Sequence, residues 1–215
     1  MSVATLVIGE SGTGKSASMR NLSTDDTLLI QTVKKPLPFR AADWKGIRDG
    51  GNVIVTADWQ NIIAACQKTQ RKRIVIDDFQ YLLATEFMAR ANETGFQKFT
   101  DLALHAWEVF NAVNRLADDV RVYILSHTQT DDTGHTRFKT LGKLLDEKIT
   151  VEGLFSIVLR THVEGGNYQF RTQNSGSDTV KSPMGLFDGP LIDNDLAAVD
   201  AAICDYYGIQ SKEAA

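Results

Sequence analysis

A chain of 215 residues, 43% hydrophobic, with 4 prolines and a net charge of −4, holds enough apolar material for one substantial core and too little for a second independent domain. The acidic balance argues against a protein that coats nucleic acid over its whole surface, yet leaves room for a local basic patch. No stretch approaches the roughly 20 apolar residues of a membrane span, and a motif that begins at residue 9 leaves no room for a cleavable leader, so a cytosolic chain without membrane association is expected.

The motif is Gly9-Glu10-Ser11-Gly12-Thr13-Gly14-Lys15-Ser16, directly after the apolar run Val3-Ala4-Thr5-Leu6-Val7-Ile8. It has the full G-x-x-x-x-G-K-[ST] spacing of a phosphate-binding loop. Glycines let successive backbone N–H groups curl toward phosphates, and a following helix adds its positive dipole end. Lys15 supplies a point charge for the β- and γ-phosphates and Ser16 a hydroxyl for Mg²⁺. By accident the pattern arises in roughly one chain in a hundred of this length, and the context fits: an apolar strand before, and helix-compatible Ala17-Ser18-Met19-Arg20-Asn21-Leu22 after. Gly9, Glu10, Ser11, Gly12, Thr13, Gly14, Lys15, Ser16 and Ala17 are therefore the expected binding residues for ATP.

Thr27-Leu28-Leu29-Ile30-Gln31 reads as a second strand. The prolines of Lys34-Lys35-Pro36-Leu37-Pro38-Phe39-Arg40 then dictate an exposed basic loop. A short strand over residues 52–56 precedes a helix over 59–70, with Asp58 placed either as its N-cap or as a catalytic acid. Arg73-Ile74-Val75-Ile76-Asp77-Asp78 is an unbroken apolar run ending in carboxylates, as in a central parallel strand covered on both faces. Such a strand downstream of a phosphate loop fits a Walker B element, with Asp77 holding Mg²⁺ together with Ser16. Asp78 is either the water-orienting base or the N-cap of the next helix, and Glu86 is a lesser candidate for the base.

Helices are expected over residues 79–91 and 95–117, the second with Phe99, Leu102, Ala106, Val109, Phe110 and Val113 at helical spacing. Residues 120–127 form a further strand that delivers His127 to the same carboxyl edge as the phosphate loop, either as a sensor of the γ-phosphate or as a surface histidine. His105 and His162 fall inside element patterns and read as structural or surface groups. Residues 128–139 lack periodicity and are expected as a long polar loop. It contains His135, Arg137, Phe138 and Lys139, cations around an aromatic, a combination suited to single-stranded DNA and equally found in ordinary polar loops. A short helix over 141–149, a hairpin of residues 155–162 and 168–172 around Gly165-Gly166-Asn167, and a last amphipathic helix capped by Asp193-Asn194-Asp195-Leu196, running to about Tyr207 and stopped by Gly208, complete the reading. Cys66 and Cys204 lie in apolar helical patterns and read as buried free thiols. The expected class is α/β, a mainly parallel sheet flanked by helices with an antiparallel hairpin extension, as one domain over residues 1–208 and a polar tail over 209–215.

The phosphate loop, the strand ending Asp77-Asp78, Leu125-Ser126-His127-Thr128 and Lys181-Ser182-Pro183-Met184-Gly185 together resemble the RecA-like AAA ATPases of bacteriophages and prophages, some of which act in single-strand annealing or recombination. The resemblance runs through nearly the whole chain, and only the phosphate loop is specific in itself. It implies a RecA-like P-loop fold, Mg²⁺-dependent ATP hydrolysis, a homo-oligomeric ring or filament, single-stranded DNA as partner, and a place in the host cytoplasm, with a phage single-strand-binding or replication protein as a further partner. It also implies that residues 129–139 contact DNA and that Lys181 matches the first member of a Lys-x-Arg pair reaching a neighbour's γ-phosphate. Pro183 stands at the second position, which leaves Lys181 alone as a finger or as a surface lysine. Two other classes stay open: a nucleotide-dependent protein-binding switch or loader, and a small-molecule P-loop kinase, for which the chain offers no arginine-rich lid.

Overall fold

In a computed structural model, which describes residues 1–141 and 148–210, one sheet gathers nine strands: β1 (Val3–Gly9), β2 (Thr27–Gln31), β3 (Val53–Val55), β4 (Arg73–Asp77), β5 (Arg121–Thr130), β6 (Thr136–Phe138), β7 (Ile157–Glu164), β8 (Asn167–Arg171) and β9 (Leu191–Asp193). Their order is β3-β2-β4-β5-β1-β7-β8-β9, with β6 paired to β5. From β3 to β7 every neighbour is parallel, and β8 and β9 extend the sheet antiparallel. The α/β class with an antiparallel hairpin extension, expected from the alternation of patterns, is the observed one.

Both faces are covered, which is why the inner strands read as continuous apolar runs. Helices α1 (Trp59–Lys68), α2 (Gln80–Ala89) and α3 (Gln97–Asn114) cover one face, burying Ile62, Leu82, Val109 and Phe110 against Leu6, Ile8, Ile30, Ile76 and Ile124. Helix α4 (Leu196–Tyr207) covers the other, placing Leu196, Val199 and Ile203 on Val7, Val75, Tyr123 and Leu159. Asp58 accepts from Asn61 N at 2.8 Å and is the N-cap of α1, not a catalytic acid. Asp195 caps α4, and Gly208, at φ 65°, ends it. Cys66 on α1 and Cys204 on α4 are buried free thiols, and burial pushes the Cys66 thiol up to about 12.

Four departures from the sequence expectation matter. The segment after the phosphate loop is only a six-residue 3-10 turn, Ser16–Asn21, because Ser18, Asn21 and Ser23 are weak helix formers and Leu22 turns extended. Its end dipole is correspondingly small. Residues 128–139 are not a loop: β5 runs on to Thr130 and folds back as β6, with Thr128 opposite Phe138 and Gln129 opposite Arg137. Strand β9 escaped the reading because three residues carry no period. The loop over 34–40 is not simply exposed, since Leu37 and Phe39 pack onto the core and Phe39 meets Trp44 edge-on at 6.0 Å. The helix expected over 141–149 falls largely on residues outside those described.

At the amino edge of the sheet, Asp200 of α4 is buried among strand side chains. It accepts from Arg73 Nε at 2.6 Å, Arg121 Nε at 2.9 Å and Tyr123 OH at 2.6 Å. Burial alone would raise the Asp200 carboxyl, but Arg121 and Tyr123 outweigh it and hold the group below the usual range. Asp200→Ala strands two guanidinium groups inside the fold and should lower the free energy of unfolding by about 3–5 kcal/mol in urea titrations. A loss of less than about 1 kcal/mol would show that the cluster does not hold α4 to the sheet.

Candidate nucleotide site

Parallel pairing brings the carboxyl ends of β1, β5, β4 and β2 to one edge, with Gly9 beside His127 and Gln31 beside Asp77. The phosphate loop leaves β1 there. Gly9 is required by packing, since a Cβ would collide with the Thr161 hydroxyl of β7, and Gly12 and Gly14 by backbone, at φ 79° and 95°. Thr13 Oγ1 meets Thr161 Oγ1 at 2.6 Å and ties the loop to β7. Beside Gly14 sits the buried side chain of Asn194, whose Nδ2 has no hydrogen-bond partner among the described residues.

Lys15 folds back over the loop and donates to Gly9 O at 2.9 Å and Glu10 O at 2.7 Å. Burial brings its ammonium down to about 8, against the pull of Asp78 and Asp77. Ser16 Oγ donates to both Asp77 oxygens, at 2.8 and 3.0 Å. The two residues expected to share Mg²⁺ are thus adjacent. Burial first, and then the charge of Asp78, push the Asp77 carboxyl up to about 6.

Asp78 has φ 62°, the left-handed region that Asp tolerates better than most residues. This turn separates two neighbours: Phe79 goes into the core against Phe110 and Phe138, while the Asp78 carboxylate stays at the sheet edge. Its side chain caps nothing, because α2 begins on Phe79 without a side-chain cap. The cap reading of Asp78 is therefore excluded. Asp78 is ion-paired to Lys35, and His127 Nε2 lies 3.7 Å from its Oδ1. Burial works to raise the Asp78 carboxyl, but His127 and Lys35 outweigh it and hold the group below the usual range.

These groups line a cavity of about 470 Å³ that runs from Ser11, Gly12, Gly14, Lys15, Ser16 and Ala17 to Lys35, Asp78, Tyr81, His127 and Tyr168. Lys35, Tyr81 and Tyr168 were not singled out from sequence. The run Lys34-Lys35 before two prolines was a signal for Lys35, and nothing in the pattern marked either tyrosine. Glu86 is elsewhere, bonded to His105 at 2.9 Å and to Arg90 at 3.1 Å, and does not line the cavity. Lys181 is exposed, its backbone paired with Val158, and does not line this cavity. His135, Arg137 and Lys139 sit half-buried on the β5–β6 hairpin. Phe138 does not join them: at 2% exposure it packs on Phe79 and Phe110, so it cannot stack on a base. The alternation of β6 turns it inward, opposite to Arg137.

The donor set fits a magnesium nucleotide. A hydroxyl and a carboxylate, here Ser16 and Asp77 at 2.8 Å from each other, are hard oxygen ligands. That suits an ion bound through one or two protein oxygens plus phosphates. The unpartnered Asn194 amide and the curled glycines add donors suited to anionic oxygen.

No protein-family model matches the chain, and no curated protein matches it in sequence. A solved structure described as a DnaB-like replicative helicase and its interactions with primase is similar in chain path, with a TM-score of 0.46 and 14% identity over 89% of this chain and 54% of that one. The chain thus spans about half the length of that neighbour. No helix among the described residues is long and apolar enough to cross a membrane.

An acid whose folded-state pKa of about 6 exceeds its usual 3.8 holds its proton more tightly in the fold. The resulting cost is absent below about pH 4, grows as pH rises, and is complete above about pH 6. Asp77→Asn should therefore stabilise the nucleotide-free protein at pH 8 by on the order of 2–3 kcal/mol and leave it nearly unchanged at pH 4. Urea titrations at the two pH values check this, and equal effects at both would remove the assignment.

Proposed function

We propose that the protein is a RecA-like, Mg²⁺-dependent ATPase of bacteriophage or prophage type. In this reading it acts as a homo-oligomeric ring or filament on single-stranded DNA during recombination, annealing or replication in the cytoplasm of a bacterial host, with residues 1–208 as one domain and a polar tail from 209. The observation that carries the nucleotide part is the Ser16–Asp77 pair at 2.8 Å beside a phosphate loop of full spacing, all on one edge of a parallel sheet. Bound Mg²⁺ would supply charge neutralisation of the β- and γ-phosphates. Gly9 to Ser16 cradle the phosphates, Lys15 exchanges its loop carbonyls for phosphate oxygens, Ser16 and Asp77 hold the metal, Asp78 orients the water, and His127 senses the γ-phosphate. Lys181, exposed and away from its own cavity, reaches the nucleotide of a neighbouring subunit.

The DNA part rests on the hairpin. His135, Arg137 and Lys139 form a basic strip on β6 and its flanks, and Lys139 N donates to His127 O at 2.9 Å, so the strip and the sensor share one ladder. A second reading, a nucleotide-dependent protein-binding switch, draws support from the ion pair at Asp78, which engages the acid that would orient the water.

Lys15→Ala should abolish ATP binding in equilibrium titrations while the thermal midpoint stays close to that of the unchanged protein. Retained binding would send the nucleotide elsewhere. Replacing Arg137 and Lys139 together by Ala should weaken single-stranded DNA binding and lower the log–log salt slope by roughly 0.7 per lost phosphate contact. Phe138→Ala, in contrast, should cost about 3–5 kcal/mol of folding stability as a core truncation. If the unchanged protein has no measurable affinity for single-stranded DNA at low salt with ATP and Mg²⁺, the DNA reading falls and the protein-binding switch replaces it.

A further inference from the structure

Lys35 is the second ammonium in the cavity, and its setting differs from that of a surface lysine. Pro36 and Pro38 fix the backbone on its carboxyl side, Leu37 and Phe39 anchor the segment in the core, and Gln31 Nε2 donates to Lys35 O at 3.2 Å from the end of β2. Local anchoring thus delivers a long, flexible side chain to a defined place. Its side chain remains 39% exposed toward the cavity, while its partner Asp78 is 5% exposed. Burial would lower the Lys35 ammonium, but the bond to Asp78 and the charge of Asp77 outweigh it and hold it above the usual value.

The Lys35 ammonium sits on Oδ2 of Asp78 and competes there with a water that this oxygen would orient. The same ammonium lies in the cavity that Lys15 and Ser16 open to phosphates. Of the two ammonium groups lining it, Lys15 belongs to the loop. Lys35 comes from a separate segment, the one after β2, and meets Asp78 just past the end of β4. We propose that Lys35 is a γ-phosphate ligand in cis, which trades the Asp78 carboxylate for the terminal phosphate of a bound nucleoside triphosphate and by leaving frees Asp78 for the water. For Lys35 one anion replaces another, while Asp78, 5% exposed, keeps His127 Nε2 at 3.7 Å from its Oδ1 and gains the water it orients. It deepens the nucleotide-binding reading above and rests on it. A diphosphate has no group at that position and leaves the Lys35–Asp78 pair closed, so Lys35 contributes to the affinity for ATP and not for ADP.

The test is equilibrium binding of fluorescent ATP and ADP analogues to the full chain, unchanged and as Lys35→Ala and Lys35→Arg, with circular dichroism to confirm folding. Lys35→Ala should weaken the triphosphate by roughly tenfold or more, the size of one charge-assisted hydrogen bond, and the diphosphate by less than about twofold. Lys35→Arg should restore part of the discrimination, because it keeps the charge. Equal loss for both nucleotides, or no loss for either, overturns the proposal and makes Lys35 a staple between its loop and β4. Should Lys35→Ala fail to fold, Lys35→Gln decides: a triphosphate-to-diphosphate affinity ratio that falls by about tenfold counts for the proposal, and one unchanged from that of the parent overturns it. An unchanged protein that binds neither nucleotide removes the underlying reading itself.

Discussion

Two adjacent buried carboxylates, Asp77 and Asp78, set the terms for the whole carboxyl edge of the sheet. Neither can keep its charge in a low-dielectric place without partners, since desolvation costs several kcal/mol per ion. Asp77 is compensated weakly, by the Ser16 hydroxyl and at longer range by the lysines, and its carboxyl is pushed up. Asp78 is compensated strongly, by Lys35 and His127, and its carboxyl is held down. Two chemically identical side chains one residue apart thus receive opposite environments. The left-handed backbone at Asp78 is what separates them: it spends about 1–2 kcal/mol of strain to keep that carboxylate in the cavity while Phe79 enters the core. A pair in which one acid is weakly compensated and the other is already satisfied suits a pocket that completes itself on its ligand.

The opposite edge of the same sheet solves the same problem with no ligand. Asp200 there is surrounded by Arg73, Arg121 and Tyr123, with Asp26 3.9 Å from Arg73 and 3.7 Å from Arg121. Every charge has a fixed partner from a neighbouring element, and the group joins α4 to β4 and β5. Strands β4 and β5 are thereby pinned at their starts and left to present their ends. The contrast between a closed charge network at one edge and an open one at the other is a sounder guide to function than burial alone, because both edges bury charged groups.

Much of this was legible in the sequence where a local rule acts alone. Phosphate-loop spacing, the apolar run before Asp77, the Gly165-Gly166 turn and the Asp58 and Asp195 caps each depend on a few contiguous residues, and each stands where its pattern put it. Misreadings arose where distant residues decide. Thr128, Gln129 and Thr130 look like loop by polarity, yet Thr favours strands and the partner Thr136-Arg137-Phe138 converts them into a hairpin. Phe138, read beside three cations, looked like a stacking platform, whereas the register of β6 turns it onto Phe79. Lys35 stood out only as part of a basic run and not as a site residue, because the carboxylate it meets lies far along the chain and no periodicity relates the two.

The rigid hairpin changes how nucleotide and DNA could communicate under the proposed function. A disordered loop would signal by becoming ordered, but β6 is fixed from three sides: Phe138 in the core, Phe138 N on Glu152 Oε1 at 2.8 Å, and Thr136 N on Ser177 O at 2.8 Å. Ordering is therefore unavailable as the signal. What remains is displacement of a stiff unit, and β5 supplies the connection, since His127 pairs with Gly9 of β1 and, two residues on, Gln129 pairs with Arg137 of β6. A shift of His127 toward a γ-phosphate would move the Lys139 amide that bonds its carbonyl. The basic strip then follows as a rigid body, and the mechanical output falls on whatever contacts the hairpin, whether a DNA strand or the neighbouring subunit.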